Sequence, residues 1–237
     1  MNVLITGASR GIGAAAARKF AENGHTVAVH CNTQTDRAEA LAAELHGIAV
    51  QADLADFTQI DRMADEVLRQ LGSVDVLVNN AGIALTALFQ TVSDADGERI
   101  FRVNAGGTMH LTKKLLPQMI ARKSGSIVNI ASCWGEIGAA CEVHYSASKA
   151  AVIGFTKALA KEVGPSGIRV NCISPGVIGT DMNAQHSAET MQALAEETPL
   201  CRIGTPEEVA EAVYFLATDT ARFITGQILP VNGGFTV

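Results

Sequence analysis

The chain has 237 residues, a length at which α/β proteins commonly form one domain, and we expect a single domain over residues 1–237. Apolar residues make up 48% of the sequence and charged residues 18%, and the net charge of −6 without a basic cluster argues against nucleic acid or an anionic membrane surface as a partner. Because the sequence starts directly with a predicted strand and contains neither a signal-peptide pattern nor a membrane-length apolar segment, we expect a cytoplasmic protein.

The cysteines indicate neither a disulfide framework nor a metal site. Their number is odd, they are scattered, and none is spaced as Cys-x-x-Cys. We therefore predict no metal and interpret them as small buried apolar side chains. They are Cys31, Cys133, Cys141, Cys172 and Cys201.

Short apolar runs alternate with helical patterns along the whole chain. Such alternation implies right-handed β-α-β crossovers, and it predicts a doubly wound parallel sheet of the Rossmann type with helices on both faces. Ligands of such sheets bind outside the carboxyl ends of the strands, near the point where the strand order reverses. The predicted strands cover residues 3–6, 26–31, 48–52, 74–79, 126–131, 169–174 and 227–231.

The first strand leads through a glycine-rich turn into the first helix. Residues 6–13 read T-G-A-S-R-G-I-G, a T-G-x-x-x-G-x-G spacing that differs from the common G-x-G-x-x-G. Glycines allow a tight turn and close backbone approach, while the free N–H groups at a helix start favour a pyrophosphate. The turn predicts a nucleotide site, although ordinary loop chemistry would also account for it.

The end of the second predicted strand indicates which nucleotide is bound. Folds that prefer NAD place an acid there, which accepts a hydrogen bond from the ribose 2′-OH and repels a 2′-phosphate. Here the strand continues into Asn32, the next acid is Asp36, and Arg10 in the glycine turn supplies a cation. We therefore expect NADP(H), with an ordinary exposed arginine as the alternative interpretation of Arg10.

Three residues in the second half of the chain have the chemistry of a carbonyl site. Tyr145 and Lys149 are four residues apart in a predicted helix over residues 145–163, so both side chains leave the same face. An ammonium beside a phenol favours the phenolate and lowers its pKa from ~10 toward neutrality. Ser132 follows a predicted strand and would bring a hydroxyl to the same sheet edge. The Tyr-x-x-x-Lys spacing alone also occurs by chance on surface helices.

Neighbours of these residues have simpler interpretations. His144 points about 100° away from Tyr145 around the helix, which favours a surface or interface role. Cys133 lacks a positioned base, so we interpret it as part of the pocket wall and not as a nucleophile. The helix over residues 145–163 also has more apolar surface than one sheet face needs, which predicts subunit packing.

Taken together, these motifs resemble those of the short-chain dehydrogenase/reductase family over essentially the whole chain. The sequence is most similar to bacterial 3-oxoacyl-(acyl-carrier-protein) reductases, which are NADPH-dependent homotetramers. The resemblance implies reduction of a 3-oxoacyl thioester with NADP(H) and a homotetramer or dimer. It rests on T-G-A-S-R-G-I-G at 6–13, N-N-A-G at 79–82, Asn104, Ser132, Tyr145-x-x-x-Lys149, P-G at 175–176 and V-N-G-G at 231–234.

The resemblance also implies residue roles. Tyr145 is the proton donor, Ser132 a hydrogen-bond donor to the carbonyl, Lys149 a partner of both Tyr145 and the nicotinamide ribose, and Asn104 the holder of a water in a proton relay. Cofactor contacts fall on Gly7, Ser9, Arg10, Gly11 and Ile12 for the phosphates, Asn32 for the 2′-phosphate, Asp53 and Leu54 for adenine, Asn80, Ala81 and Gly82 for the ribose side, and Pro175, Gly176, Ile178 and Thr180 for the nicotinamide.

The substrate end departs from that group. The segments 133–136 and 141–142 are unlike it and resemble bacterial reductases proposed to act on a 5-aminopentanone modification of a lysine of elongation factor P. Trp134 is expected to form an apolar wall, with Glu136 and Glu142 as acids at the pocket mouth that would attract an ammonium. The alternative for Glu142 is a first-turn helix acid without substrate contact.

Two further expectations concern carriers and catalysis. A carrier protein would dock on basic side chains near the active-site mouth, where Lys123 is a candidate and Ser166 replaces a frequent arginine. A nucleotide-sensing binding protein on the same fold is the non-enzymatic alternative. The presence of Asn104, Ser132 and the Tyr145–Lys149 pair favours an enzyme.

Overall fold

The computed structural model of the protein describes residues 1–183 and 187–236. In these ranges seven strands form one parallel sheet in the order β3-β2-β1-β4-β5-β6-β7. The strands are β1 (Asn2–Ile5), β2 (Thr26–Cys31), β3 (Ile48–Gln51), β4 (Val76–Asn79), β5 (Gly125–Ile130), β6 (Ile168–Pro175) and β7 (Ile228–Val231).

Helices connect the strands and cover both faces of the sheet. None in the described ranges combines the length and apolarity needed to cross a bilayer. The helices are α1 (Gly11–Glu22), α2 (Thr35–Glu44), α3 (Phe57–Leu71), α4 (Asp94–Phe101), α5 (Thr108–Arg122), α6 (Trp134–Ile137), α7 (Val143–Val163), α8 (Ala188–Glu197) and α9 (Pro206–Ala217), with a π-helical segment over Arg102–Gly107 between α4 and α5.

The parallel sheet and its seven strands confirm the sequence prediction, with small shifts at the ends. The largest shift is at β4, which begins at Val76 instead of residue 74. The carbonyl of Val74 accepts hydrogen bonds from the side chains of Gln118 and Arg122 on α5, so it is not available for strand pairing. Helix α7, which carries Tyr145 and Lys149, likewise starts two residues earlier than predicted, at Val143.

Two apolar cores lie on opposite faces of the sheet. In β1, Val3 and Ile5 face the core formed with α1 and α9, while Leu4 between them faces the core formed with α3, α5 and α7. Helix α3 packs on the sheet through one apolar face, and its buried residues all belong to the second core. They are Ile60, Met63, Ala64 and Val67.

The strand order reverses between β1 and β4, and this point positions the site. The chain builds the sheet outward from β1 to β3 and then returns to the other side of β1 with β4. The connections on the two sides leave the sheet on opposite faces, which opens a crevice at the carboxyl ends of these strands. Residues that follow β1, β4 and β5, among them Gly7, Asn80 and Ser132, line one cleft there.

Candidate active site

The cleft at the carboxyl edge of the sheet has a volume of about 500 Å³. This is within the range of small-molecule and cofactor sites. All but three of the residues predicted for the site or its wall line it, the exceptions being Asn104, Cys133 and Glu136. The cofactor-side residues that line it are Gly7, Ser9, Arg10, Gly11, Ile12, Asn32, Asp53, Leu54, Asn80, Ala81, Gly82, Pro175, Gly176, Ile178 and Thr180, and the others are Ser132, Trp134, Glu142, Tyr145 and Lys149.

The glycine turn after β1 has the shape of a cradle for a dinucleotide pyrophosphate. Gly7 and Gly11 have φ values of +63° and +56°, which side chains rarely adopt. A Cβ on Gly13 would lie 2.4 Å from the carbonyl oxygen of Gly7, so only glycine allows this helix start to approach the turn. Arg10 precedes α1 without a side-chain cap to the helix, leaving the first-turn N–H groups for a ligand.

Asn80 supports this turn from β4. Its side-chain amide donates to the carbonyls of Thr6 and Gly7 at 2.8 and 3.0 Å. The two carbonyls at the strand end use both N–H groups of this amide, which are therefore not available to a ligand. Asn80 and Ala81 also donate their backbone N–H groups to the Thr6 hydroxyl, each at 3.0 Å.

Two arginines meet at the end of the cleft where a 2′-phosphate is expected. Nη1 of Arg10 lies 3.1 Å from a carboxylate oxygen of Asp181, and Nη1 of Arg37 lies 3.5 Å from the same oxygen. Arg37 is on α2, and no motif indicated it. The sequence indicates Arg37 only through its position five residues after Asn32, in the first turn of a helix that starts near the predicted 2′-phosphate region.

Asp53 organises the end of the cleft that is predicted to hold adenine. Its carboxylate accepts from the backbone N–H of Ala55 at 2.9 Å and pairs with Arg99 of α4 at 3.1 Å. Arg99 lines the cleft as well, although no motif predicted it there. The contact joins a loop after β3 to a helix more than 40 residues later, which no local pattern predicts.

Tyr145 and Lys149 lie together in the interior end of the cleft, as their spacing on α7 predicted. Their exposed fractions are 8% and 3%, and Lys149 Nζ is 5.7 Å from the centroid of the Tyr145 ring. Nζ donates to the carbonyl of Ile130, the last residue of β5, at 2.8 Å. Burial lowers the pKa of Lys149 to about 8.

The protonation state of Tyr145 differs from the sequence expectation. Burial raises the pKa of its phenol, the hydrogen bond to Ser132 opposes this shift in part, and the charge of Glu142 adds to it. In this structure the pKa is thus raised, not lowered by Lys149. The reason is that the lysine cannot offset the loss of solvation of the phenolate, since it is itself buried and bonded to a carbonyl.

Asn104 holds the surroundings of the lysine in place. It lies in the π-helical segment, and its side chain exchanges hydrogen bonds with the backbone of Ile83 at 2.8 and 2.9 Å. Its Nδ2 also donates to the hydroxyl of Ser148 on α7 at 3.0 Å. A Cβ on Gly82 would lie 3.2 Å from Lys149 Nζ, so this glycine leaves room for the ammonium.

The two acids expected at the pocket mouth have different positions. Glu142 lines the cleft just before α7, and one of its carboxylate oxygens accepts from the hydroxyl of Thr86 at 2.9 Å. Glu136 does not line the cleft, which corrects the prediction: its carboxylate accepts a hydrogen bond from the buried hydroxyl of Ser174 on β6. Trp134 does form part of the wall, where it meets Phe235 edge to face at 5.3 Å.

Other candidate chemistry is weak. Burial raises the pKa of the Cys133 thiol to about 11, so it is a poor nucleophile. The ring of His144 stacks on Phe89 at 5.2 Å, away from the cleft lining. Among residues 1–183 and 187–236, no cluster of three side chains could hold a metal ion.

Lys123 does not border the cleft, contrary to the expectation for carrier docking. It follows α5 and lies just before β5, at the amino-terminal edge of the sheet. Ser166 has the corresponding position before β6. A six-residue strand spans ~20 Å, which separates both residues from the carboxyl edge of the same chain.

Comparison with known proteins gives matches along nearly the full length. A family model described as enoyl-(acyl carrier protein) reductase matches residues 7–236. The chain is 43% identical over 237 residues to the 3-oxoacyl-(acyl-carrier-protein) reductase FabG of Aquifex aeolicus (strain VF5), covering 98% of this chain and 95% of that protein. The protein of that name from Staphylococcus aureus (strain Mu50) is 40% identical over 238 residues, covering 98% and 97%. The uncharacterized oxidoreductase YmfI of Bacillus subtilis (strain 168) is also 40% identical over 238 residues, covering 98% and 97%.

Replacing Gly13 by alanine should disrupt the cradle. The new Cβ would meet the Gly7 carbonyl oxygen at 2.4 Å and the Asn80 amide nitrogen at 2.6 Å, so the turn must shift. We expect the affinity for a nicotinamide dinucleotide, measured by fluorescence titration, to fall by at least tenfold. Gly164→Ala is the control, because a Cβ there meets nothing within 4 Å. Equal affinities of the two variants would contradict this account of the turn.

Proposed function

The chain belongs to the short-chain dehydrogenase/reductase family and is an oxidoreductase acting on CH–OH or C=O groups, and on this premise we propose that it uses NADPH to reduce the ketone of a 3-oxoacyl thioester. Relatives named 3-oxoacyl-(acyl-carrier-protein) reductase, at 40–43% identity, support this substrate class. We also propose a homo-oligomer, since Phe155 and Leu159 of α7 remain only half-buried in the single chain.

One observation carries the proposal. A phenol, a serine hydroxyl and a buried ammonium line the interior end of the same cleft that begins at the glycine turn. NADPH bound along such a cleft would supply the hydride for the carbonyl carbon. The residues of the chain must then bind the carbonyl oxygen and give it a proton.

Tyr145 is the proposed proton donor. Because burial raises its pKa, its phenol stays protonated across the physiological range and is ready to give a proton. The alkoxide that forms from a ketone is a stronger base than a phenolate, so the proton moves from the Tyr145 hydroxyl to the substrate oxygen. Ser132 donates a hydrogen bond to that oxygen as its charge develops, which stabilises the transition state more than the ground state.

Lys149 assists from the opposite side of the phenol. Its ammonium stabilises the phenolate that remains after proton transfer, and it is the proposed donor to the nicotinamide ribose. The contact with Ile130 uses one of its three N–H groups and fixes the amine against the end of β5. Asn104 would act on the same group by positioning the Gly82–Ile83 segment.

The preference for NADPH is proposed from charge. Arg10 and Arg37 converge on one carboxylate oxygen of Asp181, so the structure already brings an anion between two guanidinium groups. A 2′-phosphate has the same sign and could make charge-assisted hydrogen bonds with both. No acid follows β2 before Asp36, so the end of this strand supplies no carboxylate that would repel a 2′-phosphate.

Tyr145→Phe should abolish reduction while NADPH binding is retained. The phenyl ring preserves the packing and lacks only the hydroxyl. We expect kcat with acetoacetyl-coenzyme A to fall to a few per cent or less, and the Kd of NADPH to stay within about threefold. Tyr214→Phe is the matched control, because Tyr214 is the other tyrosine and lies on α9 away from the cleft. Substantial turnover by Tyr145→Phe would require a different acid.

Cofactor affinity should depend on the protonation of Lys149. Its pKa is about 8 in the protein alone, so the amine is charged below this pH and neutral above it. The Kd of NADPH should therefore increase by up to about tenfold per pH unit above pH ~8. Lys149→Ala should bind weakly at every pH without that inflection. A wild-type Kd that stays constant from pH 7 to pH 10 would contradict the ribose contact.

Discrimination between the cofactors should depend on the two arginines. The wild type should favour NADPH over NADH by at least ~1.4 kcal/mol, about tenfold in kcat/KM. Arg10→Ala and Arg37→Ala should each reduce this ratio, while Arg18→Ala, an exposed arginine paired with Glu44, should not. Cys31→Asp at the end of β2 should shift the preference toward NADH by repelling the phosphate. Equal kcat/KM values for both cofactors in the wild type would exclude this proposal.

A second candidate substrate is a ketone with a nearby amine, such as a 5-aminopentanone group on a protein lysine. The specific observation is Glu142, whose carboxylate lines the cleft and acts electrostatically on Tyr145. Its side chain makes no capping hydrogen bond to α7 and instead accepts from the hydroxyl of Thr86. A carboxylate there would attract a substrate ammonium and disfavour an acidic carrier.

Glu142→Gln separates the two substrate classes. If an amine binds there, the variant should lose kcat/KM for an amino-ketone by at least tenfold and retain it for a neutral ketone of equal length. Glu136→Gln is the control, since Glu136 is an acid in the same region outside the cleft lining. A parallel loss on both ketones, or no loss, would leave the 3-oxoacyl thioester as the favoured substrate.

A further inference from the structure

His30 is a buried histidine that the proposed reaction does not use. It is the next-to-last residue of β2, is 1% exposed, and lies under the glycine turn. Its Nδ1 accepts a hydrogen bond from the backbone N–H of Gly7 at 3.0 Å. Its Nε2 is 3.0 Å from the carbonyl oxygen of Ala52, just after β3. The carbonyl of His30 itself accepts from the N–H of Ala8 at 2.8 Å.

These contacts determine the tautomer of the imidazole. The N–H of Gly7 can only donate, so Nδ1 must be unprotonated, and the carbonyl of Ala52 can only accept, so Nε2 must carry the hydrogen. A protonated imidazole would direct an N–H at the N–H of Gly7. Burial lowers the pKa of His30 to about 4, in agreement with a neutral ring.

The two residues bound by the ring belong to different walls of the cleft. Gly7 is in the turn that would hold the pyrophosphate, where its φ of +63° is a conformation that glycine adopts readily and other residues rarely do. Ala52 is followed directly by Asp53 and Leu54, which line the cleft at the predicted adenine end. One rigid ring therefore sets the spacing between the phosphate wall and the adenine wall.

We propose that His30 is a positioning residue for the nicotinamide cofactor, holding the Gly7 turn and the Ala52–Leu54 segment at the separation that the adenosine half requires. This rests on the proposed use of the cleft for a dinucleotide. The contact with Gly7 is the essential one, because it orients the first peptide of the turn. The contact with Ala52 determines the position of the imidazole ring beneath the turn.

Three substitutions at His30 separate the effects of the two ring contacts. His30→Asn places an amide oxygen near the Nδ1 position and keeps an acceptor for the Gly7 N–H. His30→Gln places an amide nitrogen near the Nε2 position and keeps a donor for the Ala52 carbonyl, without an acceptor for Gly7. His30→Leu removes both. His25→Leu is the matched control, as this histidine lies at the opposite end of β2 beside Tyr214.

The first measurement is the Kd of NADPH by fluorescence titration, with unfolding free energies from urea denaturation. We expect His30→Leu and His30→Gln to weaken NADPH binding at least tenfold, His30→Asn, which loses only the Ala52 contact, to weaken it less than either, and His25→Leu to be unchanged. At saturating NADPH, kcat for acetoacetyl-coenzyme A should change less than threefold, since the Tyr145 end is untouched. The proposal would be overturned if the NADPH Kd of the variants rose in step with their loss of unfolding free energy, whichever of the two contacts each variant keeps.

The second measurement needs no cofactor. Hydrogen–deuterium exchange of residues 6–9 in the free protein should be at least tenfold faster in His30→Leu and His30→Gln than in wild type, and restored in His30→Asn. Unchanged exchange in His30→Leu would overturn the positioning role. If wild type bound neither NADPH nor NADH, the proposed function would fail, while the exchange rates would still decide whether His30 orders the turn.

Discussion

The hydrogen bonds between the ends of β1 and β4 are the constraint on which the cleft depends. The hydroxyl of Thr6, 1% exposed, accepts from the N–H groups of Asn80 and Ala81 and donates to the carbonyl of Val78. The Asn80 amide donates in return to the turn after β1. Where the strand order reverses, the chain segments that follow β1 and β4 separate. The backbone N–H and C=O groups at the two strand ends would then lose their sheet partners while buried, and an unpaired buried group is costly. These side chains satisfy them and thereby hold the glycine turn against β4.

Both ends of the cleft contain buried titratable groups whose protonation depends on burial and on a few partners. At the end predicted to hold adenosine, His30 is neutral because its two ring contacts demand one donor and one acceptor. At the interior end, burial keeps the phenol of Tyr145 protonated and brings the pKa of Lys149 down to about 8. In each case the fold removes water from an ionisable side chain and then supplies a limited set of partners. The end predicted to hold the cofactor thereby has rigid walls, and the end that contains Tyr145 has a protonated phenol that can act as an acid.

The wall on the substrate side is built differently from the cofactor side. Cofactor-side residues follow the ends of strands, whose positions are set by the sheet. Trp134 and Glu142 instead lie on α6 and on the connection to α7, where Gly138 and Cys141 have positive φ values of 76° and 63°. Connections of this kind vary more readily than the scaffold that carries them. This explains why the sequence resembles its family most clearly at the cofactor end and departs from it where substrate is chosen.

The sequence by itself determined the fold class, the glycine turn and the placement of Tyr145 and Lys149 on one helix face, because these depend on periodicity and backbone geometry within short segments. It also predicted Ser132, since a parallel strand must deliver its end to the ligand edge. Only the tertiary structure decided that Glu136 turns to Ser174 while Glu142 stays in the cleft, that the Asn80 amide binds backbone, that Lys123 lies at the other edge, and that Arg37 and His30 contact residues that line the cleft. It also decided the raised pKa of Tyr145. Each of these outcomes depends on partners distant in the chain and on the water that burial removes, and neither is encoded in local spacing.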